Sequence, residues 1–203
     1  MKILVINGKK IGGMIIIVGL MIMMFGLEMY FDNKLKMASL IQSNFNPLEQ
    51  YSALNDKLKY KLPKQWETNE KKFNSNEIIY HNEFESVKSG IFGFVQVWNK
   101  RGDLKKFLDN SKMISEKQNE IRNYSIHKIK VNNYNGYVIR YVVKTKYEKK
   151  DYIAFEYFID CGDVYVRFSF FVKGQMYKEN MQRIFDSIVE TMEYTSFSSV
   201  SLS

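Results

Sequence analysis

Tyr152-Ile-Ala-Phe-Glu-Tyr-Phe-Ile-Asp-Cys-Gly-Asp-Val-Tyr-Val-Arg-Phe-Ser-Phe-Phe-Val172 decides the fold class. Tyr152 to Asp160 and Val164 to Val172 are two runs rich in aromatic and β-branched residues, which suit a pleated, half-buried surface. Asp160-Cys-Gly-Asp163 between them is turn chemistry. A two-residue Cys161-Gly162 loop in a primed turn joins the runs as an antiparallel hairpin. That loop sets Asp160 against Asp163 and, counting back, Glu156 against Arg167. The register therefore predicts a cross-strand ion pair that accounts for Arg167 without a ligand. Strand alternation puts Phe158, Tyr165 and Phe171 on the same face as Arg167.

Outward from the hairpin the same grammar repeats. Strands are expected at about 124–131 and 136–146, joined by Asn132-Asn-Tyr-Asn-Gly136. Ile91-Phe-Gly-Phe-Val-Gln-Val-Trp98 is apolar on both faces and predicts a central, doubly covered strand. Asn76 to Glu85 alternates as another strand, and Lys57-Leu-Lys-Tyr-Lys-Leu62 as a first one that Pro63 stops. Two helices interrupt the strands. Asp103 is a good N-cap for one carrying Leu104, Phe107, Leu108 and Ser111 to Ile114 along a stripe. The other spans about 175–192, with Tyr177, Met181, Ile184, Phe185, Ile188 and Met192 on one apolar face. Strands and helices in this order give an α+β domain on a mainly antiparallel sheet.

The N-terminus follows a different rule. Ile11-Gly-Gly-Met-Ile-Ile-Ile-Val-Gly-Leu-Met-Ile-Met-Met-Phe-Gly-Leu27 contains no charge, and Met29-Tyr-Phe31 extends it beyond Glu28. A helix of about 20 residues crosses the hydrocarbon layer. No small-residue cleavage site and no lipid-accepting cysteine follow the run, so an uncleaved transmembrane signal anchor is expected over 11–31. Residues 1–10 then form a cytoplasmic tail. Lys2, Lys9 and Lys10 before the segment outweigh Lys34 and Lys36 after it, which puts the domain on the extracytoplasmic side of the cell membrane. A juxtamembrane stalk is expected over 32–50, with Leu35, Ala38, Ile41 and Phe45 at helical spacing. A disordered, serine-rich tail is expected over 195–203.

Composition narrows the function. The 203 residues carry a formal charge of +8. Without Lys2, Lys9, Lys10 and Glu28, the 30 basic and 22 acidic residues become 27 and 21, a basic excess suited to an anionic surface. The lysines are scattered and no nucleic-acid-binding motif accompanies them, so no nucleic-acid partner is expected. A single cysteine, Cys161, excludes an intrachain disulfide and a CxxC site.

Four stretches share a resemblance. Leu58-Lys-Tyr-Lys-Leu-Pro-Lys-Gln-Trp66, Glu77-Ile-Ile-Tyr-His-Asn-Glu-Phe84, Gly93-Phe-Val-Gln-Val-Trp98 and Asn180-Met-Gln-Arg-Ile-Phe-Asp-Ser-Ile188 resemble the corresponding parts of PsbP-like domains. The likeness is greatest to the membrane-anchored PsbP-related proteins of clostridia. It covers a domain of about 51–194 and implies an antiparallel sheet flanked by helices in an α/β/α sandwich. Plant and cyanobacterial members assist photosystem II, and a eukaryotic relative of the fold binds the GTPase Ran. No functional motif of theirs matches a position here, and a shared fold is not a shared function.

Candidate sites are few. His81-x-Glu83-x-Glu85 falls on one face of its strand and offers an imidazole and two carboxylates to a divalent metal. The plainer reading of the same alternation is a solvated strand face. His127, the only other histidine, sits in an edge-like strand. Two histidines leave little material for a Ser-His-Asp triad, so no catalytic residue and no cofactor are expected. Phe158, Tyr165, Arg167 and Phe171 form the possible binding face, either covered or open. The expected function is a non-enzymatic, membrane-anchored extracytoplasmic binding or accessory module with a protein or cell-envelope partner. Its alternatives are a metal-dependent enzyme or sensor using His81, Glu83 and Glu85, and a structural subunit of a membrane complex.

Overall fold

The computed structural model describes residues 45, 47–74, 76–144 and 150–196. The anchor, most of the stalk and residues 197–203 of the tail lie outside them. No helix among the described residues is long and apolar enough to cross a membrane.

Ten strands form two sheets, and every pairing among the described residues is antiparallel. β1 (Leu48–Ala53), β2 (Leu58–Pro63) and β10 (Glu193–Tyr194) make a small sheet ordered β1-β2-β10. β3 (Glu67–Glu70), β4 (Ile78–Ser86), β5 (Ile91–Asn99), β6 (Glu120–Val131), β7 (Tyr134–Lys144), β8 (Asp151–Asp160) and β9 (Val164–Lys173) make the large one. Its order is β3-β4-β5-β9-β8-β7-β6. Among the described residues two α-helices accompany the sheets, α1 (Leu104–Gln118) and α2 (Met181–Val189).

The small sheet and α2 cover one side of the large sheet, its back. Leu58, Tyr60, Leu62, Val95, Phe155, Phe168, Phe170, Ile184 and Phe185 are all buried there. Phe170 stacks on Phe185 with centroids 4.3 Å apart, and Tyr60 meets Phe168 edge-on at 5.8 Å. Tyr60, Tyr80 and Asn82 satisfy one another on this side, whereas the buried Trp66 Nε1 has no hydrogen-bond partner among the described residues. Tyr60 and Tyr80 hydroxyls bond at 2.8 Å, and the Asn82 amide donates to Tyr60 at the same distance.

α1 covers the other side, the front, but only in part. Asp103 caps it, its carboxylate accepting from the Lys106 N–H at 3.0 Å. Leu104 and Leu108 bury against Ile139, Phe158 and Tyr165, with Phe107 over the same patch. Further along the stripe Met113 and Ile114 are exposed.

Several expectations are corrected. β1 begins at Leu48, inside the expected stalk, because Leu48 to Ala53 pair with β2. Phe45 likewise buries, edge-on to Trp66 at 5.5 Å. The expected last helix is shorter: a 3-10 turn spans Gly174–Met176, and α2 starts only at Met181. Thr195 is tied to the small sheet through its N–H on the Lys57 carbonyl at 2.9 Å. The turn after β6 uses only Asn132 and Asn133, with Asn132 at φ 53°. The β8–β9 loop keeps two residues but is shifted by one position, to Gly162 and Asp163: the Cys161 N–H donates to the Val164 carbonyl at 3.0 Å, so Asp160 opposes Tyr165 and Glu156 opposes Ser169. Gly162 takes φ 94°, a conformation glycine adopts without cost.

Candidate functional site

The register of the large sheet brings both sequence candidates onto the front. Glu156 of β8, Arg167 and Phe171 of β9, and Phe92, Phe94 and Gln96 of β5 lie on that side. His81, Glu83 and Glu85 of β4 oppose Gln96, Phe94 and Phe92, so they join the same face.

At its centre Arg167 binds Glu156 despite the changed register. A two-residue shift keeps both on one face, and diagonal neighbours remain within reach of a long side chain. Nε and Nη2 donate to Glu156 Oε2 at 3.1 and 2.6 Å. The Tyr141 hydroxyl donates to Oε1 at 2.5 Å. Burial, with the Glu156 carboxylate beside it, holds the Tyr141 phenol well above its usual range, so it stays a donor. The guanidinium lies between the Phe94 and Phe158 rings, 4.9 and 5.0 Å from their centroids. Nη1 makes no hydrogen bond among the described residues. Ser169 Oγ, one position along β9 on the same face, is fully buried and has no hydrogen-bond partner among the described residues.

The expected binding face divides. Phe158 and Tyr165 are buried under Phe107 of α1. The Tyr165 hydroxyl also donates to the Gly102 carbonyl at 2.5 Å. Arg167 and Phe171 instead stay half-buried and line a groove of about 910 Å³ between α1 and the sheet. Its walls include Phe92, Phe94 and Ile114. Phe92 stacks on Phe171 at 5.3 Å and is 36% exposed, so β5 is not doubly covered along its whole length. At the helix side, Lys112 Nζ lies 4.5 Å from the Tyr124 ring centroid, and Tyr124 stacks on Tyr141.

The histidine face is a hydrogen-bonded line. Trp98 Nε1 donates to Gln96 Oε1 at 3.1 Å, which leaves the Gln96 amide nitrogen to donate to His81 Nδ1 at 2.7 Å. His81 Nε2 therefore carries the proton and donates to Glu83 Oε1 at 3.2 Å. Lys71 reaches Glu83 Oε2 at 2.6 Å and holds that carboxyl below its usual range. His81 is buried, so the solvated-face reading fails at that residue and holds at Glu83, whose side chain is 40% exposed, and at Glu85. Both ring nitrogens are engaged. Among the described residues no three His, Cys, Asp or Glu side chains converge as metal ligands would. His127 is exposed on β6, away from this line. Cys161 is buried in the turn, and burial pushes its thiol up to about 12, which suits a structural thiol and not a nucleophile.

The sequence reading missed Phe92, Phe94, Lys112 and Tyr141 as parts of the site. A strand apolar on both faces reads the same whether its cover is complete or half-complete.

No family model and no curated protein matches the chain. The solution structure of cyanobacterial PsbP from Synechocystis is similar to it with a TM-score of 0.53 at 12% identity, covering 73% of this chain and 92% of that one. A Pseudomonas aeruginosa protein of unknown function matches with a TM-score of 0.43 at 9% identity, over 73% of this chain and 98% of that one. The first likeness makes the fold PsbP-like, as the resemblance implied.

Proposed function

We propose that this chain is a non-enzymatic binding module, tethered to a membrane by residues 11–31, that receives its ligand or partner on the open half of the front face. The observation that carries the reading is the groove beside α1. Its aromatic wall of Phe92, Phe94 and Phe171 is left accessible on a domain whose other sheet face is buried across its centre. A concave apolar site with a few convergent polar groups is where ligands bind. The tether rests on the uncharged run Ile11–Leu27, and the extracytoplasmic placement on the lysines before it. Anchored PsbP-related proteins of the clostridial kind have this layout.

Photocrosslinking in intact cells tests it, with a photoreactive residue at Ile114 in the full-length chain and another at Glu49 of the small sheet. Ile114 is expected to give a discrete adduct that Phe92→Ala weakens, and Glu49 none. The same pattern at both positions, or no adduct at Ile114, overturns the reading.

A further inference from the structure

Resting on that reading, we infer that the groove takes an anionic amphiphile: a single apolar chain along the aromatic wall, and an acidic head group received by Arg167 and Lys112.

Two features of the molecule lead there. The first is what the groove lacks. Its floor is a sheet face, and the sheet's backbone N–H and C=O groups are already used in its ladders. A peptide laid there would bury main-chain groups with few partners, at a cost of about 1–3 kcal/mol each. An alkyl chain has no such groups and gains about 0.8 kcal/mol for every methylene buried. The volume of about 910 Å³ lies in the range of small-ligand sites.

The second is charge. Among the described residues lining the groove, Lys112 and Arg167 are cationic and Glu156 alone is anionic. Glu156 has both oxygens occupied, by Tyr141 and by Arg167. An incoming cation would meet a carboxylate whose charge Arg167 already compensates. An incoming anion finds Arg167 Nη1, held in place between two rings. A guanidinium pinned this way loses little entropy on binding an oxygen acid.

The test uses the full-length chain in phosphatidylcholine nanodiscs and three photoreactive probes of one chain length. They are a diazirine-bearing palmitate, the corresponding alcohol and the trimethylammonium analogue, with labelled positions mapped by mass spectrometry. Because labels are mapped, partition of the probes into the bilayer does not obscure the result. The carboxylate is expected to label groove residues on α1 and β5 roughly ten-fold more than the other two, the worth of one charge-assisted hydrogen bond. Lys112→Gln should lower the carboxylate's labelling alone, and Ile114→Glu should abolish it. Arg167→Met removes the floor donor but risks the fold, so these two surface variants carry the test. Equal groove labelling by all three probes would overturn the anionic head group and leave the binding reading standing. No groove labelling by any probe would overturn the amphiphile altogether. If adducts at Ile114 in cells persist in that case, the occupant is a different class of partner.

Discussion

The two faces of the large sheet are built from alternate residues of the same strands, yet they solve burial differently. The back is sealed: Phe155, Phe168 and Phe170 are wholly inaccessible, and its hydroxyls and amides pair with one another. Among the described residues a helix covers the front only where α1 lies over Phe158 and Tyr165. Elsewhere it carries an ion pair, a buried histidine and stacked phenylalanines open to solvent. A chain selected for stability alone has no reason to stop its cover halfway. The contrast separates residues that hold the fold from residues that present a surface.

The largest expected effect tests that division with one side chain from each face. Phe170→Ala empties a site in contact with Phe84, Tyr157 and Phe185, and should cost about 3–5 kcal/mol. Phe92→Ala removes a ring already 36% exposed and should cost under about 1 kcal/mol. Denaturant titration of both variants measures the difference. Equal losses would mean that the front aromatics are core, and the contrast would collapse.

The ion pair sits where the faces differ most in kind, and it comes second. Arg167→Met leaves Glu156, 6% exposed, with only Tyr141 as partner, and should destabilise by about 3 kcal/mol. Adding Glu156→Gln should restore most of the loss, because the penalty lies in the stranded charge. A double variant as unstable as the single one would show that the rings around Arg167, and not the pair, hold this half of the front.

How far these contrasts could be read from sequence depends on what each feature leaves behind. The central hairpin and the Glu156–Arg167 pair were legible because alternation survives an error of two residues. The expected register placed Glu156 opposite Arg167, and the true one places Phe158 there, yet the face is the same. The α2 stripe was legible for the same reason, since its period is local. β3 was not, because Glu67-Thr-Asn-Glu70 is wholly exposed and carries no apolar pattern. β1 and β10 bring together both ends of the domain across β2, a non-local pairing that no window reveals. The site was half legible: Arg167 and Phe171 were singled out, but the open wall was not. Nothing in Leu104 to Ile114 tells where the sheet beneath the helix stripe ceases to be covered. His81 was misread because its partners, Gln96 and Glu83, come from register and not from spacing alone.

The smallest expected effect is one of pH, and it sharpens the contrast because Cys161 of the back core and Glu83 of the front titrate at opposite ends of the scale. In the back core Cys161, Tyr60 and Tyr157 are weak acids kept neutral, their ionisation pushed up chiefly by burial. On the front Glu83 is kept charged, its ionisation pulled down chiefly by the Lys71 hydrogen bond. For Cys161 the folded thiol ionises near 12 against an ordinary value of 9.0. Between those values the unfolded chain releases the proton and the folded chain does not. Stability is therefore fully present below 9 and falls as pH rises toward 12, by at most about 1.4 kcal/mol per unit. For Glu83 the sign reverses: its contribution is present above the ordinary 4.5 and is lost as pH falls through the lowered value. Glu83 and Lys71 are 40% and 47% exposed, so solvent screening holds that contribution to roughly a few tenths of a kcal/mol. Denaturant midpoints of wild type, Cys161→Ala and Glu83→Gln from pH 3 to 11 separate the two limbs. Cys161→Ala should flatten the alkaline limb between pH 9 and 10, below the range where Tyr60 and Tyr157 add to it, and leave the acid limb alone, and Glu83→Gln should change the acid limb only slightly. A steep acid limb abolished by Glu83→Gln would make the front hydrogen-bonded line as structural as the back core, and the two faces would no longer differ in kind.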